Sequence, residues 1–244
     1  MLNVPVEGAS KPHYARKLLS EFVGTAFLVV VAGGGDIIEV VSGGQIGHVA
    51  RYLAPGLIVV AMIWSLSAVS GAHINPAVTL AFVLRGVFPP AGAVGYWISQ
   101  FAGGAAGALL LRLFFGASVV NAVTHPGVGV TAWEGAGWEA LITAVLIVVI
   151  LSTAAEKAVV GRNSALAVGF TVACCGLFSS PITGASMNPA RSFGPQLAAQ
   201  AWDGAWIYSV GPFTGAIVAT VICALLHDRS TGERQTAEGA TNAA

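Results

Sequence analysis

The chain has 244 residues, with 11 Lys and Arg balancing 11 Asp and Glu, so that only 9% of it is charged while 55% is apolar. Soluble domains carry roughly 25% charged residues, and so few ionised side chains cannot cover a globule of this size without large apolar patches. The composition excludes an ordinary soluble domain, and the zero net charge gives no reason to expect nucleic acid as a partner. The 31 glycines lie within Val, Ile, Leu and Ala runs, where small residues allow close contact between membrane helices. Cys174, Cys175 and Cys223 are too few, and too deep in apolar sequence, for a disulfide framework or a zinc site.

In chain order, residues 1–17 are a short cytoplasmic segment in which Lys11, Arg16 and Lys17 precede apolar sequence. That pattern mimics a signal peptide, but further apolar segments follow, so it is read as leading into a first membrane helix. A span needs about 20 mainly apolar residues, and six segments approach or exceed this: 18–35, 52–69, 91–115, 139–155, 164–180 and 205–226. Two moderately apolar stretches, 75–84 and 188–199, are too short to cross and are expected as half-membrane helices. Residues 18–226 form the expected membrane domain, and 227–244, rich in Thr, Glu, Gly and Ala, are expected to be a disordered cytoplasmic tail.

The distribution of cations supports this layout. With the amino terminus inside, Lys11, Arg16, Lys17, Arg85, Lys157, Arg162, Arg229 and Arg234 fall on the cytoplasmic side, leaving only Arg51, Arg112 and Arg191 elsewhere. The even number of spans returns the carboxyl terminus to the same side.

The chain also repeats itself, with one half at about 18–115 and the other at about 139–226. The run from Ser70 to Ala77 (SGAHINPA) matches Thr183 to Ala190 (TGASMNPA) at five of eight positions, and Glu21 and Glu139 open similar apolar helices. The offset is 118 residues at the glutamates and 113 at the asparagines. Two copies of a three-span unit must lie in opposite senses across a bilayer, which puts function near the midplane where they meet. Asn is a preferred N-cap and Pro is tolerated at the first helical position, so each Asn-Pro-Ala starts a half-helix. Half-helices entering from opposite faces bring their amino ends together, and the carbonyls around them can line a water-filled path.

Paired Asn-Pro-Ala motifs in inverted halves, with Arg191 directly after the second and a glutamate in the first helix of each half, resemble the major intrinsic protein family of aquaporins and aquaglyceroporins. The resemblance covers about 18–226. It implies an all-α membrane fold of six transmembrane helices and two half-helices, assembled in the cell membrane as a homotetramer with one pore per subunit. It also implies a passive channel for water and small uncharged solutes, with no cofactor, no metal and no enzymatic activity. Pore residues implied by the resemblance are Asn75, Pro76, Ala77, Asn188, Pro189 and Ala190, with a selectivity filter of Arg191, Pro55, Gly176 and Ala185. Strict water channels of the family present a bulky aromatic and a histidine where this chain has Pro55 and Gly176. The small residues imply a wider filter that admits glycerol, urea or metalloid hydroxides such as undissociated arsenite. An offset of one helical turn would instead bring Tyr52 forward and narrow the pore to water. The wording from Gly184 to Pro195 (GASMNPARSFGP) is similar to the nodulin-like intrinsic proteins and their bacterial relatives, and Ser192, where glycerol facilitators carry aspartate, argues against that subgroup.

Physics supplies the expected mechanism. Asn75 and Asn188 each turn a side-chain N–H to the pore, which interrupts a proton wire. Two helix amino ends, each worth about half an elementary charge, repel protons and cations but not neutral solutes. Glu21 and Glu139 are read as braces that accept backbone hydrogen bonds from the loops before the half-helices; an ion-coupling role, as in secondary transporters, is the alternative. His73 is expected to line the cytoplasmic vestibule and His125 to lie on the outer surface. The GxxxG pairs Gly103/Gly107 and Gly211/Gly215 are read as packing faces within the chain, and Trp97, Trp133, Trp138, Trp202 and Trp206 as interfacial anchors.

Overall fold

The computed structural model describes residues 13–155, 164–228 and 231–239. In order these form α1 (Tyr14–Val41), α2 (His48–Ser70), α3 (Pro76–Leu84), α4 (Pro90–Phe115), a 3-10 segment (Gly116–Ala122), α5 (Ala132–Ala155), α6 (Ser164–Thr183), α7 (Pro189–Ala199), α8 (Ile207–Leu226) and α9 (Thr231–Glu238). Among the described residues there is no strand, and six helices are long and apolar enough to cross a membrane. Each expected span is present. α1 runs on to Val41 because Ile37, Ile38, Val40 and Val41 extend its apolar sequence beyond Gly35. The outward faces carry exposed Leu19, Phe27, Leu57, Leu113, Phe170 and Leu225, as lipid-facing surfaces do; the protein is an integral membrane protein.

Close packing depends on glycine. A Cβ on Gly103 or Gly107 of α4 would lie 2.2 or 2.5 Å from a carbonyl oxygen of α1, and one on Gly211 or Gly215 of α8 would lie 2.7 or 2.3 Å from a carbonyl oxygen of α5. Any larger residue would force these helices apart. Both GxxxG faces are therefore occupied within the chain, and the second half repeats the α1–α4 packing of the first as α5–α8. α2 and α6, one from each half, meet in the same way at Gly56 and Gly169. The half-helices cross over: α7 packs on α4, with Gly194 against Gly104, and α3 packs on α8. Neither half encloses its own half-helix, so the pore exists only when both are folded together.

Two expectations are corrected. Trp97 is not an interfacial anchor but turns inward, its Nε1 donating to the Pro76 carbonyl at 3.1 Å. Trp138 likewise packs against the core, whereas Trp133, Trp202 and Trp206 are exposed. The tail expected to be disordered over 227–244 contains α9, which is docked on the bundle. Buried Glu233 accepts from Nε of Arg85 at 3.0 Å and from its Nη2 at 2.9 and 3.2 Å. Lys17 Nζ donates to the Glu238 carbonyl at 2.5 Å. A segment with almost no apolar content is thus held by ionic and backbone contacts to distant residues, which local composition does not reveal. Of the cations used to assign topology, Lys11, Lys157, Arg162 and Arg229 lie outside the described residues.

Candidate functional site

The two loops before the half-helices have the same unusual backbone. Gly71, Ala72 and Ile74 have φ of +86°, +50° and +42°, and Gly184, Ala185 and Met187 have +78°, +50° and +55°. Left-handed backbone suits glycine but strains side chains with a Cβ, most of all the β-branched Ile74. Each such residue costs about 1–3 kcal/mol and persists only where surrounding contacts hold it.

Those contacts converge on two buried carboxylates. Glu21 accepts at Oε1 from the Ser70 hydroxyl (2.7 Å) and the His73 N–H (2.9 Å), and at Oε2 from the Ile74 N–H and Gln100 Nε2, both at 2.7 Å. Glu139 accepts at Oε1 from the Thr183 hydroxyl (2.7 Å) and the Ser186 N–H (2.9 Å), and at Oε2 from the Met187 N–H (2.8 Å). Two tyrosines complete the loops: Tyr96 donates to the Ser70 carbonyl at 2.7 Å and Tyr208 to the Thr183 carbonyl at 2.8 Å. An acceptor with up to four lone-pair directions suits such clusters of otherwise orphaned donors.

Held this way, the asparagines meet. Asn75 Oδ1 caps α3 by accepting from the Ala77 N–H at 2.9 Å, and Asn188 Oδ1 caps α7 by accepting from Ala190 and Arg191 at 3.0 and 3.2 Å. Pro76 and Pro189 occupy the first helical positions. Each side-chain amide also reaches across the pseudo-twofold: Asn75 Nδ2 donates to the Met187 carbonyl at 2.8 Å, and Asn188 Nδ2 to the Ile74 carbonyl at 2.9 Å. An amide nitrogen has two donors, so one N–H of each asparagine is used in this reciprocal pair. Both asparagines line a cavity of about 1020 Å³, which extends from Asp36, Arg51 and Arg191 at one end to Thr231, Gln235 and Thr236 of α9 at the other.

The same cavity is lined by Pro55, Gly176, Ala185 and Arg191. Arg191 is buried in the first turn of α7. Tyr52, one turn before Pro55 in α2, also lines the cavity and packs on Gly176, where an added Cβ would lie 3.0 Å from its own Cβ. The tyrosine therefore borders the same cavity as the small residues. Ser192, after Arg191, bonds the hydroxyls of Thr124 (2.7 Å) and Ser186 (2.6 Å).

His73 also borders the cavity, its Nε2 donating to the Ala237 carbonyl at 3.0 Å and its Nδ1 lying 3.0 Å from Thr79 Oγ1. His125 is exposed, with Nδ1 3.1 Å from the Pro126 carbonyl, and does not border this cavity. Among the described residues no group of His, Cys, Asp and Glu is placed to hold a metal ion.

Sequence reasoning missed Tyr96, Tyr208, Gln100, Asp36 and Arg51. The tyrosines carried a usable signal, since each is followed five positions later by phenylalanine (Phe101 and Phe213) in the third span of its repeat. Asp36 and Arg51 carried none, because charges near span ends read as ordinary surface groups.

Comparison with known proteins accords with this geometry. The model of the major intrinsic protein family matches residues 8–223. Aquaporin NIP2-1 of Oryza sativa subsp. japonica is 38% identical over 213 residues, covering 84% of this chain and 68% of the relative. Aquaporin NIP1-4 of the same species is 38% identical over 226 residues, covering 91% and 80%. The aquaglyceroporin from Plasmodium falciparum has the same fold, with a TM-score of 0.76 at 22% identity over 88% of this chain and 99% of that one. The chain belongs to the major intrinsic protein family, and is a membrane channel for water and small solutes, not an enzyme.

Proposed function

We propose that the pore conducts small uncharged solutes larger than water, with glycerol, urea and undissociated metalloid hydroxides such as arsenite as the class, besides water itself. The observation that carries this is the cavity lining, where Pro55, Gly176 and Ala185 stand with Arg191 and contribute no bulky side chain. Arg191 donates to the passing solute and repels cations, and the free N–H groups of Asn75 and Asn188 orient its oxygens at the midplane. Protons are excluded there because each water donates away from both asparagines, facing the positive ends of α3 and α7. Glu21 and Glu139 act as braces, not as ion-coupling sites: their oxygens are already engaged by loop and side-chain donors.

A pore restricted to water is the second reading, favoured by Tyr52 on Gly176. The working unit is the span domain 18–226, both termini are cytoplasmic, the membrane is the cell membrane, and four copies assemble with one pore each. The orientation is supported by Lys17, Arg85 and Arg234 at the α9 end, opposite Arg51 and Arg191.

Stopped-flow light scattering on proteoliposomes tests the solute class. Glycerol and urea permeability is expected without any proton or sodium gradient, and to fall when Pro55→Phe and Gly176→His are combined. Rapid water flux with complete exclusion of glycerol and urea would select the second reading, and flux requiring an ion gradient would overturn both.

A further inference from the structure

Three charges gather at the filter end of the cavity from three helices. Asp36 lies near the end of α1, Arg51 in the first turn of α2 and Arg191 in the first turn of α7. Arg51 donates twice to Oδ1 of Asp36, from Nε at 3.1 Å and Nη2 at 2.7 Å, and its Nη2 also lies 3.3 Å from the Tyr52 hydroxyl. Among the described residues the other carboxylate oxygen, Oδ2, has only a long 3.5 Å contact with Nη2 of Arg191. Nη1 of Arg191 is buried and, among the described residues, has no hydrogen-bond partner. All three residues border the cavity.

A buried guanidinium donor without an acceptor, beside a carboxylate oxygen that is held only loosely, leaves one donor and one acceptor facing the path of a solute. A hydroxyl group satisfies both, since its oxygen accepts while its hydrogen donates; water does so too, but a polyol gives up the hydration of several hydroxyls at once to enter the filter and so depends more on the pair. Arg51 makes this possible by restraining Asp36. Without it the carboxylate is free to close on Arg191 in a bidentate pair, which would engage both carboxylate oxygens and remove the acceptor held for the solute. Asp36 also lowers the summed charge of the three groups from two positive charges to one.

We infer that Asp36, restrained by Arg51, is a specificity-determining residue of the filter: with Arg191 it forms a donor and acceptor pair that selects neutral solutes bearing hydroxyl groups, polyols and metalloid hydroxides among them. The inference rests on the channel reading above and names the group that recognises the solute. It distinguishes this filter from one in which a lone arginine only donates.

The test is the ratio of glycerol to water permeability in proteoliposomes. Loss of folded channel lowers both fluxes together and leaves the ratio unchanged, so the ratio is insensitive to a merely structural role. Asp36→Asn is expected to lower glycerol permeability about five-fold more than water permeability, the effect of one weakened charge-assisted hydrogen bond. Arg51→Gln is expected to lower the ratio in the same direction. The double variant is expected to fall short of the product of the two, because both act on one pair. Should Asp36→Asn not reach the membrane, Asp36→Glu, which moves the charge by one methylene, is expected to lower the ratio as well. An unchanged ratio in a conducting Asp36 variant overturns the inference while leaving the channel reading intact. Wild-type vesicles that pass neither solute faster than bare lipid overturn the channel reading, and this inference with it.

Discussion

The two halves hold their half-helices with the same design but unequal means. Glu21 receives four donors and Glu139 three, and the difference is Gln100. Tyr96 and Tyr208 do the same work 112 positions apart, yet the residue four places after Tyr96 is Gln100 and the residue four places after Tyr208 is Pro212, which has no side-chain donor. The second half compensates nearer the pore: Asn188 caps two N–H groups where Asn75 caps one, and the hydroxyls of Thr124, Ser186 and Ser192 are linked behind it. An inverted repeat thus conserves the backbone of the loop, with its left-handed residues, more strictly than the side chains that hold it. The backbone must be matched because the two asparagines bond each other's loop across the pseudo-twofold. The braces act locally and are free to differ.

The largest break in this comparison comes from the carboxylates. Glu139→Gln puts a new NH2 group against the Ser186 or Met187 N–H, where the Thr183 hydroxyl, like Ser70 beside Glu21, can turn to accept but no side-chain amide stands beside it as Gln100 does beside Glu21. Glu21→Gln is expected to be milder, because turning the Gln100 amide offers its unpartnered Oε1 to the new donor. The difference is about one unsatisfied buried group, or roughly 1–3 kcal/mol, and is expected as a lower thermal midpoint for Glu139→Gln in detergent. Equal midpoints would refute the role given to Gln100.

Next come the caps. Asn188→Ala orphans two helix N–H groups and Asn75→Ala one, so Asn188→Ala is expected to cost more by about 1 kcal/mol, measured by the same melting assay. The tyrosines sharpen the symmetry instead of breaking it: Tyr96→Phe and Tyr208→Phe each remove one buried hydrogen bond and are expected to lower stability equally, by about 1 kcal/mol.

The smallest effect on overall stability is expected at α9. Glu233→Ala removes the carboxylate partner of Arg85 and loosens α9, which Lys17 and His73 still hold at Glu238 and Ala237. Faster amide exchange over 231–238 with an unchanged melting midpoint is the expected result. Water flux is expected to rise, since Thr231, Gln235 and Thr236 border the cavity. Unaltered exchange would show that α9 is held by something other than the ion pair.

The spans were legible because about 20 apolar residues in a row have no other stable use, and the half-helices because Asn-Pro-Ala both caps and starts a helix. Trp97 was misread because a tryptophan near a span end looks the same whether its ring faces lipid or packs inward on Phe213. α9 was misread for a related reason: its buried contacts are with Arg85, Lys17 and His73, and nothing in its own eight residues records them.

Taken alone, the sequence determined the membrane class, the six spans, the inverted repeat, the paired motifs and the glutamate of each half, all of which are written in runs, short motifs or internal copies. Only the tertiary structure decided that the two asparagines cross, that Tyr52 and Pro55 both line the pore, that Asp36 joins Arg51 and Arg191, and that the tail contains a docked helix. Periodicity and composition report what a residue's near neighbours in the chain require. These contacts join residues up to 221 positions apart, and which side chains face one another at that separation depends on how the helices cross.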